Sequence, residues 1–241
     1  MYLTETTSTT LAQPVEENHR FRRLLKLTPS FELLGREHAA RETAESCVSD
    51  KFHSAFGAEL ESFLPYMLTM HCAGRLTGVS GINPASHGTL FLEQYLTDSL
   101  ETHLEKAVGH PVDRNSVVEI GNLVSATNGG SLAVFIVLAS ALAACGCDHM
   151  VFTATRKLRS RFARLGFEFQ HVADANPHCL PDSSAESWGS YYDNDPQVVV
   201  GSSAQAVELI KSRALFSCLA KTLSGEIDRV SAQLLQTREA A

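Results

Sequence analysis

Ser116-Val-Val-Glu-Ile-Gly-Asn-Leu-Val-Ser125, followed by Ala126-Thr-Asn-Gly-Gly-Ser131 and the apolar run Leu132 to Ala144, is the stretch that decides the fold. Val117, Val118, Ile120, Leu123 and Val124 make a nearly continuous apolar strand, of the kind covered on both faces of a sheet. Glu119 stands inside it, where a charge is costly unless it is paired or used. Gly129 and Gly130 predict a turn that bulkier residues resist, and Ser131 predicts a cap for the helix that follows. The N–H groups and positive dipole end of that helix suit an anion, such as a pyrophosphate or a phosphopantetheine arm. A second strand, Asp148 to Ala154, and a basic helix, Thr155 to Leu165, continue the unit to Gly166.

Upstream, residues 1–20 are polar and threonine-rich and predict a disordered tail. A strand is expected around Leu24 to Leu27. Val48, Phe52 and Phe56 recur at four-residue spacing within a helix expected over 36–56. Phe63 to Cys72 and Arg75 to Ile82 predict a hairpin turning at Ala73-Gly74. Leu90-Phe-Leu leads into Glu93-Gln-Tyr, where Glu93 reads as either an amine-binding group or a solvent-facing strand residue. A helix is expected over 98–108. Downstream, a strand is expected over 167–173, a polar loop over 174–187, and a short strand over 197–200. From Ser203 to Ala241 the pattern is helical. Phe216, Leu219, Leu223, Ile227, Val230 and Leu234 fall at three- and four-residue steps, a seam expected to pack on the domain; a homodimer seam is the alternative.

A chain of 241 residues with 44% hydrophobic and 20% charged residues can bury a proper core. Its net charge of −7 argues against a nucleic-acid partner. The one basic cluster, Arg156 to Arg164, is most simply a solvated face. Six cysteines form no Cys-x-x-Cys pair, and the histidines show no metal-ligand spacing, so no metal is expected. The cysteines read as reduced fillers, and the first residues carry no basic-then-apolar leader; both predict a cytoplasmic protein. No apolar run reaches the roughly 20 residues of a membrane helix. A serine-hydrolase Gly-x-Ser-x-Gly is absent from the sequence.

The layout of helix, antiparallel strands, helix, central strand, glycine turn, helix, strand, helix and strand resembles that of the GNAT-type N-acyltransferases. More specifically, the chain resembles the thermostable hemolysin family, a distant relative of GNAT enzymes and acyl-homoserine-lactone synthases. The resemblance runs from about Phe52 to Gly201. It rests on Leu90-Phe-Leu-Glu-Gln-Tyr-Leu, Val118-Glu-Ile-Gly-Asn-Leu, Val151-Phe-Thr-Ala-Thr-Arg-Lys-Leu-Arg, Arg164-Leu-Gly-Phe and Trp188-Gly-Ser-Tyr-Tyr. It implies an α+β fold, an α/β/α sandwich whose mostly antiparallel central sheet is flanked by helices. The acyltransferase domain would span 21–202, with an added helical segment over 203–241. It also implies that the fourth strand, its turn and the next helix hold an acyl thioester, carried by coenzyme A or an acyl-carrier protein.

The wider group's cofactor loop is met only in part. Gly129 fits, Ser131 replaces the last small residue, and Ala126 stands where an Arg or Gln is usual. Phe162 stands near the place of the tyrosine that acts as general acid in many GNAT enzymes, and it has no proton to give. Tyr191 or Tyr192 is the expected substitute. The site expected from the sequence therefore has Glu119, Tyr191 and Tyr192 as catalytic residues. Glu93, Asn122 and Trp188 bind substrate, Trp188 as part of an acyl pocket wall with the two tyrosines, and Val124, Ser125, Gly129, Gly130 and Ser131 hold the thioester. Glu119 reads as a general base for an attacking amine or as a structural carboxylate paired with Arg114 or Asn122. Asn122 reads as orienting a carbonyl or bonding a loop. The expected activity is acyl transfer from a thioester to a small-molecule amine. A cytolytic protein, as the family name implies, and an inactive thioester-binding module are the alternatives.

Overall fold

The computed structural model describes residues 29–125, 128–180 and 186–239. The expected tail over 1–20 and the strand around 24–27 lie outside them. Seven strands form one sheet: β1 (Ser30–Leu34), β2 (Tyr66–Cys72), β3 (Arg75–Pro84), β4 (Val117–Ser125), β5 (His149–Ala154), β6 (Gln170–Asp174) and β7 (Gln197–Ser202). Their order is β1-β2-β3-β4-β5-β7-β6. All neighbours are antiparallel except β4 and β5. Among the described residues there are seven α-helices: α1 (Arg41–Phe56), α2 (Leu100–Val108), α3 (Asn128–Ala144), α4 (Arg156–Leu165), α5 (Ser203–Ser212), α6 (Ala214–Thr222) and α7 (Ser224–Glu239). This is the mixed α+β arrangement that the resemblance implies.

Local chemistry sets the boundaries. Ala73 and Gly74 both adopt left-handed φ, 50° and 73°, as a two-residue hairpin between right-twisted strands requires. Ser99 and Thr155 cap α2 and α4 by accepting the Thr102 and Leu158 amides. Gly57, Gly109 and Gly166 end α1, α2 and α4 in the left-handed conformation. Helix α1 begins at Arg41 rather than at 36, after the turn that follows β1. The strand expected over 167–173 is shorter and later, Gln170–Asp174.

Helices cover both faces of the sheet. Helix α3 is apolar all round because it is buried all round: it packs on β2, β3 and β4 below and on α5, α6 and α7 above. The C-terminal seam does pack inward. Phe216, Leu219, Leu223, Val230 and Leu234 join the same core as α3. On the opposite face α1 covers Met67, Val79 and Val124, while α2 and the loops around it cover Val117, Val151, Val198 and Val200. The boundary between these two covers falls on β4, the strand that carries the candidate site.

Candidate active site

Strand β4 changes character along its length. Val118 and Ile120 face α3, while Val117 faces α2. Between Gly121 and Val124 the strand carries one residue more than β3, a bulge centred on Asn122 with φ of 47°. The extra residue reverses the alternation. Leu123 now faces α3 and Val124 faces α1. Asn122 bonds a loop: its Oδ1 accepts the Leu64 amide at 3.1 Å. The loop is pinned again by Arg41, which donates to the Leu64 and Pro65 carbonyls at 2.6 and 2.9 Å.

On its other side β4 pairs with β5 only at Val117, Val118 and Glu119, opposite His149, Met150 and Val151. The ladder ends there although β4 runs on to Ser125 and β5 to Ala154. Two parallel strands therefore diverge from Glu119 onward. Each feeds a helix at the open end, α3 after β4 and α4 after β5.

Glu119 sits at the point of divergence and is only 3% exposed. Its Oε2 accepts the Phe91 amide and its Oε1 the Leu92 amide, both at 2.9 Å. These are the first amides of a 3-10 turn, Phe91–Tyr95, where a strand residue at Glu93 was an open reading. Neither Arg114 nor Asn122 is the partner. Burial pushes the Glu119 carboxyl up to about 7, against the pull of the Leu92, Phe91 and Asn83 hydrogen bonds. Such a group exchanges a proton near neutral pH.

Glu93 caps that turn. Its Oε1 accepts the Leu90 amide at 2.9 Å and pairs with Arg114 at 2.5 Å. The residues form a 3-10 turn and not a strand, and the turn brings Glu93 back to the amide of its N-cap residue, Leu90.

An aromatic wall stands beside the turn. Trp188 lies 5.8 Å from Phe91, 5.1 Å from Tyr191 and 6.1 Å from Tyr192, ring to ring. Tyr191 stacks on Phe52 and meets Phe56 edge-on. The Tyr191 hydroxyl donates to the Thr153 carbonyl at 3.5 Å, on the part of β5 beyond the ladder. The Tyr192 and Tyr95 hydroxyls are 2.6 Å apart. Burial raises all three tyrosine pKa values, so the hydroxyls stay protonated. Phe91, Trp188, Leu60 and Leu180, with Glu59, Glu61, Ser62, Gln94 and Ser187, line a cavity of about 220 Å³.

Of the expected thioester residues, Val124 is buried against α1 and Ser125 ends β4. Gly129 and Gly130 do not form a turn ahead of the helix. They lie in its first turn, because α3 already begins at Asn128, and Ser131 is thus inside the helix and not its cap. Ala126 lies outside the described residues. Sequence periodicity treated Phe52 and Phe56 only as core, and Phe91, Tyr95 and Asn83 carried no distinguishing signal. Their role follows from pairings across more than 25 residues.

A seven-stranded, mostly antiparallel sheet with one diverging parallel pair and helices on both faces is an acyltransferase-type fold. The chain belongs to the thermostable hemolysin family, whose model matches residues 34–207. None of the curated proteins matches it. Among solved structures it is similar to BjaI, a CoA-dependent acyl-homoserine lactone synthase solved with MTA. The identity is 14% and the TM-score 0.50, covering 84% of this chain and 89% of that one. It is also similar to FeeM, an N-acyl amino acid synthase from uncultured soil microbes, at 12% identity and a TM-score of 0.50, covering 78% of this chain and 98% of that one. At these identities the likeness shows the fold.

Proposed function

We propose that this protein is an N-acyltransferase that moves an acyl group from a thioester, on coenzyme A or an acyl-carrier protein, to the amine of a small molecule. The observation that carries the reading is the divergence of β4 from β5 immediately beyond Glu119. The thioester arm lies along residues 119–125, taking the place of the missing strand neighbour. Backbone N–H groups of β4 polarise its carbonyl. Its phosphates meet the first turn of α3, where Gly129 and Gly130 add no side chain to obstruct the approach and Ser131 adds a hydroxyl. Coenzyme A and acylated phosphopantetheine share this chemistry.

The acceptor enters against Trp188 and Phe91, with Asn122 fixing the loop at the edge of the site. Glu119 takes the proton from the attacking nitrogen as the new C–N bond forms. The C–S bond then breaks, a tyrosine hydroxyl gives its proton to the departing thiolate, and the tyrosinate regains a proton from solvent while Glu119 releases to solvent the one it took. Tyr191 is assigned that role because its hydroxyl meets β5 beyond the end of the ladder. Tyr192 positions Tyr95, or replaces Tyr191. Glu93 acts through the turn it caps. The acyltransferase domain covers 21–202 and the helices from 203 onward buttress α3, in a cytoplasmic biosynthetic enzyme that works as a monomer or as a homodimer. A cytolytic reading finds no support in α3, which is enclosed by the sheet and by α5–α7. No helix of the described residues is long and apolar enough to cross a membrane. Native mass spectrometry with acyl-CoA and acylated carrier protein offered in turn, followed by thiol release over a panel of amines, tests the reading. Binding without release in any combination would favour an inactive binding module.

A further inference from the structure

Arg114, just ahead of β4, spends Nε and Nη2 on the segment 85–93 and Nη1 on α2. Nε donates to the Ala85 carbonyl at 2.9 Å and Nη2 to the Gly88 carbonyl at 2.7 Å. Nη2 also meets Glu93 Oε1 at 2.5 Å, and Nη1 meets Glu101 Oε1 on α2 at 3.2 Å. The same Glu93 oxygen accepts the Leu90 amide. The next two amides along the chain, those of Phe91 and Leu92, are the ones that hold Glu119. A planar fork with fixed donors suits this task in a way a lysine does not.

We propose that the Arg114–Glu93 ion pair is a positioning device for Glu119: it fixes the turn whose amides bind that carboxylate and balances the charge of Glu93 on that turn. The catalytic consequence rests on the acyl-transfer reading above, but the positioning itself does not. Glu119 meets Glu93 and the Phe91 and Leu92 amides from the turn, and the Asn83 side chain from β3. From β5 it meets Val151 in the ladder, and the cluster on its own face is apolar, with Leu92, Leu100, Leu104 and Val117. Glu93 disfavours the ionised form of Glu119, and Arg114 offsets Glu93.

The two partners therefore act on Glu119 with opposite signs. Removing the charge of Glu93 lets Glu119 ionise at lower pH. Removing Arg114 leaves Glu93 uncompensated and loosens the turn, so Glu119 ionises at higher pH. A purely structural pair would move both variants the same way, or neither.

The test is carbon-13 NMR titration of the full chain with labelled glutamate, the Glu119 signal being identified by its loss in Glu119→Gln. The expected result is a midpoint about half a pH unit lower in Glu93→Gln and about half a unit higher in Arg114→Gln. Glu93→Gln keeps the oxygen that caps Leu90, so it decides the matter alone where Arg114→Gln fails to fold. An unchanged or raised midpoint in folded Glu93→Gln overturns the proposal, as does a lowered midpoint in folded Arg114→Gln. Because the titration needs no substrate, it stands even if Glu119 proves not to be the base. Equal turnover by Glu119→Gln and the parent would count against the acyl-transfer assignment alone.

Discussion

The Phe91 amide donates to Glu119 Oε2 at 2.9 Å across 28 positions of sequence. That bond joins the aromatic wall to the one buried carboxylate on β4. Burial, against the pull of that bond, gives the carboxylate a distinctive pH behaviour.

Glu119 has an ordinary value near 4.5 and is raised to about 7 in the fold. Between those values the folded protein keeps a proton that the unfolded chain has released, so this group's contribution falls as pH rises through the window. Such a shift corresponds to about 3 kcal/mol by full ionisation. Glu119→Gln has no such penalty. The melting temperature of the variant relative to the parent should be higher at pH 8 than at pH 5. A constant difference at both pH values would show that Glu119 is not buried as described.

His149 gives the opposite limb. It is 6% exposed, its ring is 5.5 Å from that of His110, and burial lowers its pKa. Folding then favours the neutral ring, so its contribution is full above about 6.5 and is lost as pH falls below that. His149→Gln should flatten the loss of stability measured by urea unfolding between pH 7 and pH 5. An unchanged slope would contradict the assignment.

Gly189 holds the aromatic wall against α1. Its φ is 52°, and a Cβ there would lie 2.2 Å from the Phe56 carbonyl oxygen, which accepts the Ser190 amide. Gly189→Ala should lower stability by about 1–3 kcal/mol and quench or shift the fluorescence of the single tryptophan, Trp188. Gly225→Ala, in the first turn of α7 with open space around it, should leave stability unchanged or raise it by about 0.5–1 kcal/mol. Equal melting of the two variants would contradict the close packing at 189.

The α3 terminus tests the donor. Gly129→Val should keep the fold and lose affinity for coenzyme A in calorimetry. Unchanged affinity would assign Gly129 to helix formation only. In the same way, purified protein should release no dye from liposomes in the absence of acyl substrate. Rapid release at low protein concentration would favour the cytolytic reading.

Much of this architecture is legible because local signals agree. The apolar run of β4, the Ala73-Gly74 hairpin and the all-apolar α3 each have a period or composition that admits one solution, while the C-terminal seam fits packing on the domain or on a second copy. The glycine pair was misplaced because nothing local shows that a helix already begins at Asn128. Glu93 reads as an amine-binding group or a strand residue, and neither reading discloses the 3-10 turn it caps. The bulge at Asn122 and the end of the β4–β5 ladder are properties of pairing between strands, so a single strand's residues do not disclose them. Glu119 was singled out by its discomfort among valines, but its partners were not. Backbone amides at 91 and 92 leave no trace in side-chain identity.

The central claim is that Glu119 accepts the proton in acyl transfer. Glu119→Gln keeps the shape of the side chain, and the α3 terminus is untouched. Steady-state release of free thiol should fall by about 10²–10⁴, while affinity for the thioester, measured in parallel, stays within about twofold of the parent. Turnover equal to the parent with the same acceptor would contradict the account.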